Sequence, residues 1–364
     1  MSQADTDHVE TPARSVEPDA DQPKKGRGLW ARLRGAVPAR IAAMLIGALL
    51  LQLGFVLSYV GAFHHPQPHR IPIAVAAPER MAPDAVKKLN AIPGHPLKAT
   101  ATDEATARER LRTGEISGVL IVKPGSRTDT LLTAGAGGAS TASALETVIE
   151  KAEKAQNRSA SVVDAFPAQA GDARGLSSFY LVVGWTVGGY LLAALLGVSL
   201  GARPATARGA GRRLLAAVPY AVLSGLGGAA IVGPLLGALN GHFLALSAIG
   251  ALVVFGAAAM TIAFQVLFGV LGIGVTILLF VVLGNPSAGG AYGPELLPPF
   301  WRALSPALPN GAATHAVRHL MYFSGHGIAA NVAVLTAYAL GGALVGILGV
   351  TLIRRRRAAA AAAG

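Results

Sequence analysis

Residues 243–284 read FLALSAIGALVVFGAAAMTIAFQVLFGVLGIGVTILLFVVLG, 42 residues without one charged side chain. A single helix of that length, rising 1.5 Å per residue, would be about 60 Å long. The hydrocarbon core of a bilayer is only about 30 Å thick. The block therefore reads as two spans, at 243–261 and 264–283, with a turn near 261–265. Four more apolar runs of span length lie outside it, at 41–63, 178–200, 214–239 and 329–353. The whole chain agrees with a membrane: 52% of residues are hydrophobic and 14% charged, where soluble domains carry about 25% charged residues.

Charge placement tests the count. From Gly175 onward the only acidic residue is Glu295, against ten arginines. Eight of those sit in two clusters beside apolar runs: Arg203, Arg208, Arg212 and Arg213, then Arg354 to Arg357. A third basic stretch, Lys24, Lys25, Arg27, Arg32, Arg34 and Arg40, precedes the first span, with Trp30 as an interfacial anchor. Basic residues collect on the cytoplasmic side. Six spans put all three clusters and both termini inside; five would put Arg354 to Arg357 outside. The net charge of +12 is thus a topology signal rather than a nucleic-acid face.

The domains follow. Residues 1–40 form a disordered, basic cytoplasmic N-terminus. Span 41–63 reads as an uncleaved signal anchor, because its apolar run is longer than a signal peptide's and ends at Phe63-His64-His65-Pro66. Residues 64–176, with fourteen basic and twelve acidic residues, form an extracytoplasmic domain. Its strands are expected at 71–76, 97–102, 116–122 and 131–133. Its helices are expected at 83–90, 103–113 (Asp103 capping; Ala105, Ala107 and Leu111 inward) and 142–158, a small α/β domain. Residues 177–353 hold five spans, and 354–364 a basic cytoplasmic tail. The fold class is a six-helix polytopic membrane protein with an α/β domain between helices 1 and 2.

Chemical motifs are sparse. No Walker or dinucleotide glycine motif occurs. There is no cysteine. The spans carry no Asp, Glu, Lys or Arg, the groups that an ion-coupled pathway usually buries. His315 and His319 share a helix face, but no glutamate stands in the zinc-protease position. His64, His65 and His69 crowd the end of span 1. These histidines read as loop or interface residues, and no catalytic, cofactor or metal residue is assigned. Glycine pairs at spacing four (Gly184/Gly188, Gly197/Gly201, Gly233/Gly237, Gly342/Gly346) suit close helix packing, and Pro234 is expected to kink its span. The Pro- and Gly-rich loop 285–328 is too long to lack structure. It is expected to form a helical hairpin, with helices at 299–304 and 311–323, in which Arg302 or Arg318 can meet Glu295.

The loop also carries a likeness. With Asn285-Pro286-Ser287, Pro294-Glu295-Leu296-Leu297-Pro298 and Phe300-Trp301, and with the phrase DEATARERLRTGEISGVLIV at 103–122 followed by Pro124-Gly125, the chain resembles type-2 ABC transporter permeases. Within them it resembles the ATPase-lacking YhgE/Pip (phage infection protein) group of bacterial cell membranes. The resemblance covers roughly 35–357 and implies a homodimeric permease-like subunit, not an enzyme. Such a subunit would export an amphipathic or lipidic solute with energy from a separate ATPase. The alternative is a non-transporting envelope scaffold or receptor acting through residues 64–176. The expected partners are the lipid bilayer and that ATPase.

Overall fold

The structure is a computed structural model that describes residues 39–362. The readings made for residues 1–38 lie outside the described residues. The chain divides into two compact units, Met1–Ile46 and Gly47–Gly364. Of the first, only the opening turns of helix α1 (Ala39–Phe63) are described.

After α1 the chain builds a mixed sheet. The elements are β1 (Ile71–Ala76), α2 (Ala82–Asn90), β2 (Leu97–Ala101), α3 (Glu104–Arg112), β3 (Gly118–Ile121), β4 (Thr128–Thr133), α4 (Ala139–Lys154) and β5 (Ser159–Asp164). The strand order is β2-β1-β3-β4-β5. Only the β3–β4 pair is antiparallel. β1 reads IPIAVA because both its faces are covered, as central parallel strands require. Ile71, Ile73 and Val75 pack with Leu89 of α2 and Leu145 and Ile149 of α4. Ala74 and Ala76 face Ala107 and Leu111 of α3.

Asp103 caps α3 by accepting the Thr106 N–H at 2.9 Å, satisfying one free amide of the first turn. Two expectations are corrected. Ala105 is exposed, because the inward stripe of α3 is the i, i+4 pair Ala107 and Leu111. Helix α4 stops at Lys154 rather than 158. Asn157 adopts φ +54, a left-handed residue that ends the helix and turns the chain into β5. That strand was not expected: SASVVD is mostly exposed, so no alternation of burial marks it.

The second half is helical: α5 (Ser177–Leu200), α6 (Ala207–Leu235), α7 (Phe243–Phe268), α8 (Leu271–Ser287), α9 (Pro299–Leu304), α10 (Pro309–Tyr322) and α11 (Ile328–Ala362). Five helices (α1, α5, α6, α7, α11) are long and apolar enough to cross a membrane, and α8 is a shorter apolar helix. The uncharged block does divide, but not near 261–265. Helix α7 runs through to Phe268 and breaks at Gly269, whose φ of +65 suits a residue without a Cβ. Arg203 Nη2 donates to the Leu267 carbonyl at 2.9 Å, so this turn lies beside the α5–α6 loop. Arg213 Nη2 donates to the Leu200 and Gly201 carbonyls, closing the C-terminus of α5. Pro234 sits in a π-helical turn that ends α6, and a second proline, Pro219, lies within the helix.

Helix α7 is the hub, packed by α5, α6 and α11. Its neighbours approach at backbone distance. A Cβ on Gly225 of α6 would lie 2.3 Å from the Ser247 carbonyl, and one on Gly189 of α5 2.4 Å from that of Val254. These closest approaches are not at the four glycine pairs read from spacing, although Gly342 also meets α7 backbone. Gly225→Val should therefore lower the stability of the detergent-solubilised protein by about 1–3 kcal/mol. Gly227→Val, where a Cβ meets nothing within 4 Å, should be near neutral. Melting curves of the two variants make the comparison.

Candidate functional site

The expected hairpin 285–328 is present as α9 and α10, and its role is to close the sheet domain. Leu296 joins the sheet core on the α2 and α4 side. Phe323, just past α10, is buried in the core on the α3 side. The backbone is tied as well: Gln67 N–H donates to the Leu296 carbonyl and His69 N–H to that of Glu295.

Between these anchors lies a polar cavity of about 90 Å³, lined among others by Gly138, Thr141, Glu295, His315, Arg318 and His319. The space is large enough to hold ordered water. Arg318, 3% exposed, is its anchor. Nη1 donates to the Gly289 carbonyl at 2.7 Å and Nη2 to that of Gly175 at 3.3 Å. One side chain thereby joins α10, the segment after α8 and the segment leading into α5. Nε has no partner among the described residues. Burial lowers the Arg318 pKa against the pull of Asp172, Glu295 and Tyr322, yet a guanidinium stays charged in a protein.

Asp172 is the nearby counter-charge, 2% exposed. It accepts the Tyr322 hydroxyl at 2.7 Å and the Ser177 N–H at 2.9 Å, the second bond capping the first turn of α5. Burial and then this carboxylate push the Tyr322 phenol up. Gln169 adds a reciprocal pair with Asn240: its Nε2 donates to the Asn240 carbonyl and its Oε1 accepts the Asn240 N–H. The sheet domain is thus hydrogen-bonded to the ends of several helices.

The sequence suggested Glu295 as a partner of Arg318 or Arg302. Among the described residues no ion pair joins them. Burial raises the Glu295 pKa more than the two arginines lower it. His315 is pushed down to about 4, by burial first and Arg318 second; burial also lowers His319. The two rings lie 6.5 Å apart between centroids, as their spacing implied, with His319 Nδ1 against the His326 carbonyl. In the earlier group the His64 and His65 rings lie 6.3 Å apart; His64 Nδ1 meets the Val60 carbonyl at the end of α1, and His65 meets Gln67. Sequence reasoning missed the Asp172–Tyr322 bond, which spans 150 residues. The only hint was a lone arginine and a tyrosine in a mostly apolar helix.

A second feature opens on the side of the bundle. An apolar cleft of about 550 Å³ between α5 and α6 is lined by Tyr180, Gly184, Trp185, Gly227 and Ile231, among others. Trp185 Nε1 donates to the Ser224 carbonyl at 3.1 Å across its floor. Tyr180, Ile231 and Leu236 present exposed apolar surface along its rim. No family model, curated protein or solved structure matches the chain.

The titrations at the junction have opposite signs. His315 binds its proton in the unfolded chain below its ordinary pKa of 6.5 and in the folded protein only near 4. Stability linked to it falls as pH drops from about 6.5 towards 4. Glu295, whose folded pKa is raised, contributes stability at low pH that is lost as pH rises through that value. In melts of the full-length protein, His315→Gln should flatten the loss on acidification. Glu295→Gln should instead steepen the net loss, because it removes the offsetting group.

Proposed function

We propose that the chain is a permease-like membrane subunit that moves an amphipathic or lipidic solute, drawing energy from a separate ATPase. The observation that carries this reading is the α5–α6 cleft. It is apolar, it opens laterally where lipid would stand, and at about 550 Å³ it falls in the range of small-molecule sites. An acyl chain fits its chemistry, with a headgroup lying towards the sheet domain at the outer end of α5. The likeness of the hairpin and of residues 103–122 to YhgE/Pip-type permeases agrees with it. In this reading the protein is a homodimer in the bacterial cell membrane. It crosses six times, with both termini cytoplasmic and the sheet domain outside.

The sixth span is α8. Its 17 residues reach about 25 Å at helical rise, short of a full core, and its outer end leans on α10 through Asn310, which donates to the Phe280 carbonyl and to Asn285 Oδ1. The proximity of Arg203 to Leu267 supports a cytoplasmic turn at 269–270. The absence of cysteine makes the test direct. Val270→Cys and Thr206→Cys should both react with a membrane-impermeant maleimide only from the cytoplasmic side, and Ser126→Cys only from outside. Labelling of Val270→Cys from outside would overturn this topology, and labelling of Ala360→Cys from outside would reduce the count to five.

For the cleft, a photoactivatable phospholipid in proteoliposomes should label peptides of α5 and α6. The double substitution Gly184→Leu and Gly227→Leu fills space where a Cβ meets nothing within 4 Å, and should cut that labelling several-fold while leaving melting unchanged. Equal labelling of filled and unfilled protein would sink the lipid reading. The scaffold or receptor alternative is favoured by one observation, the buried Arg318 and Asp172 network that fixes the sheet domain to the helices. It becomes the better reading if no ATPase copurifies and crosslinks from the sheet domain capture an envelope protein.

A further inference from the structure

A second charged site lies where β3 ends and β4 begins, between α2 and the end of α4. Strand β1 leads through α2 to β2 on one side of itself, and β2 leads through α3 to β3 on the other. The chain therefore changes direction between β1 and β3. In open α/β sheets the carboxyl ends of the strands at such a switch point leave a crevice, and ligands bind there. A cleft of about 210 Å³ occupies this place, lined by Arg80, Asp84, Lys88, Asp129, Glu153 and Arg158 among others.

Its floor is a buried ionic group. Asp129 is 1% exposed and Glu153 3%. Arg158 grips Asp129 with two nitrogens, Nε at 3.1 Å from Oδ2 and Nη2 on Oδ1. Asp129 also accepts the Lys123 N–H. Glu153 is left over. Arg158 Nε stands 3.4 Å from its Oε2 without the alignment of a hydrogen bond, and that oxygen is buried with no partner among the described residues. A buried carboxylate oxygen without a donor is costly, and here the donor that is missing would come from the cleft. The rim has the other sign. Arg80 and Lys88 are exposed at its mouth, and Lys88 Nζ is tethered to Gln156 Oε1 at 3.1 Å. Three cations and three carboxylates line the cleft, so it suits a ligand with both charges and no net charge. The volume lies below the ~300 Å³ at which drug-sized sites begin.

We propose that this cleft binds an amino-acid-sized zwitterion, its ammonium group on Glu153 and Asp129 and its carboxylate on Arg80 and Lys88. The site makes the sheet domain a sensor or receiver of a small polar molecule, and it stands independently of any lipid in the α5–α6 cleft. Burial, with Asp129 second, raises the Glu153 pKa. The ammonium therefore requires a proton to leave Glu153, and affinity weakens as pH falls through that value. The groups facing Glu153 are Asp129 from β4, Arg158 ahead of β5, and Arg80, Asp84 and Lys88 from α2 and its approach.

The test uses the full-length protein in lipid nanodiscs, with melting and calorimetry against each standard L-α-amino acid. Methylamine and acetate serve as single-charge probes. At least one amino acid should raise the melting temperature, and each single-charge probe should bind about tenfold or more weakly, as loss of a charged hydrogen bond implies. Glu153→Gln should weaken binding by a similar factor and remove its pH dependence. Arg80→Ala, on the exposed rim where folding is not at risk, should weaken it as well. No response to any amino acid, methylamine binding as tight as the best amino acid, or affinity unchanged in Arg80→Ala would each overturn the proposal.

Discussion

The structure depends on two apolar side chains that reach the sheet domain from far along the chain. Leu296 enters the core on one face of the sheet and Phe323 the core on the other. Each stabilises by about 1.5–3 kcal/mol when fully buried, and each brings polar ties. The Glu295 and Leu296 carbonyls receive the backbone leading into β1. Beside Phe323, Tyr322 bonds Asp172, and one turn earlier Arg318 holds the carbonyls of Gly175 and Gly289. Removing water from Arg318 would be costly if its donors were left free. Two hydrogen-bonded carbonyls and the nearby Asp172 and Glu295 offset that cost. The hairpin of α9 and α10 is therefore a clamp on the sheet, and the helices behind it inherit a fixed orientation.

Much of the fold was legible because its signals are local. Apolar runs of span length gave α1, α5, α6, α7 and α11. The run IPIAVA gave β1, and the Asp103 cap gave the start of α3. The signals failed where a single backbone angle decides the matter. Nothing in the composition of 243–284 marks Gly269 above the block's other glycines, so length alone places the break a few residues early. Asn157 ends α4 in the same way, and β5 escaped notice because an edge strand with two exposed faces has no alternation to read. The junction was legible in part. The loop 285–328 stood out by composition, and Glu295 by being the lone acid after Gly175. Its partners did not, because Asp172 and Tyr322 are 150 residues apart and neither has a distinctive neighbourhood.

The two sites on the sheet domain differ in chemistry and sit at opposite ends of strands β3 and β4. The cleft between α2 and the end of α4 is polar and balanced in charge. The cavity beside α10 is small and holds groups whose pKa values are shifted by burial. Between them run β1 and β3, short strands with side chains packed on both faces. Interiors packed at this density transmit displacement poorly by bending and better as rigid bodies.

The clamp also redraws what counts as a domain here. By sequence the sheet domain ends where α5 begins, at Ser177. By packing it ends at Phe323, because a face of its core is unfinished until that ring arrives. A fragment cut at the apparent linker would carry an open hole beside Gly114, whose missing side chain leaves room for the Phe323 ring. The two halves are separate in the order of synthesis and joined in the finished core. The sheet can complete its core only after nearly all the helices have been made.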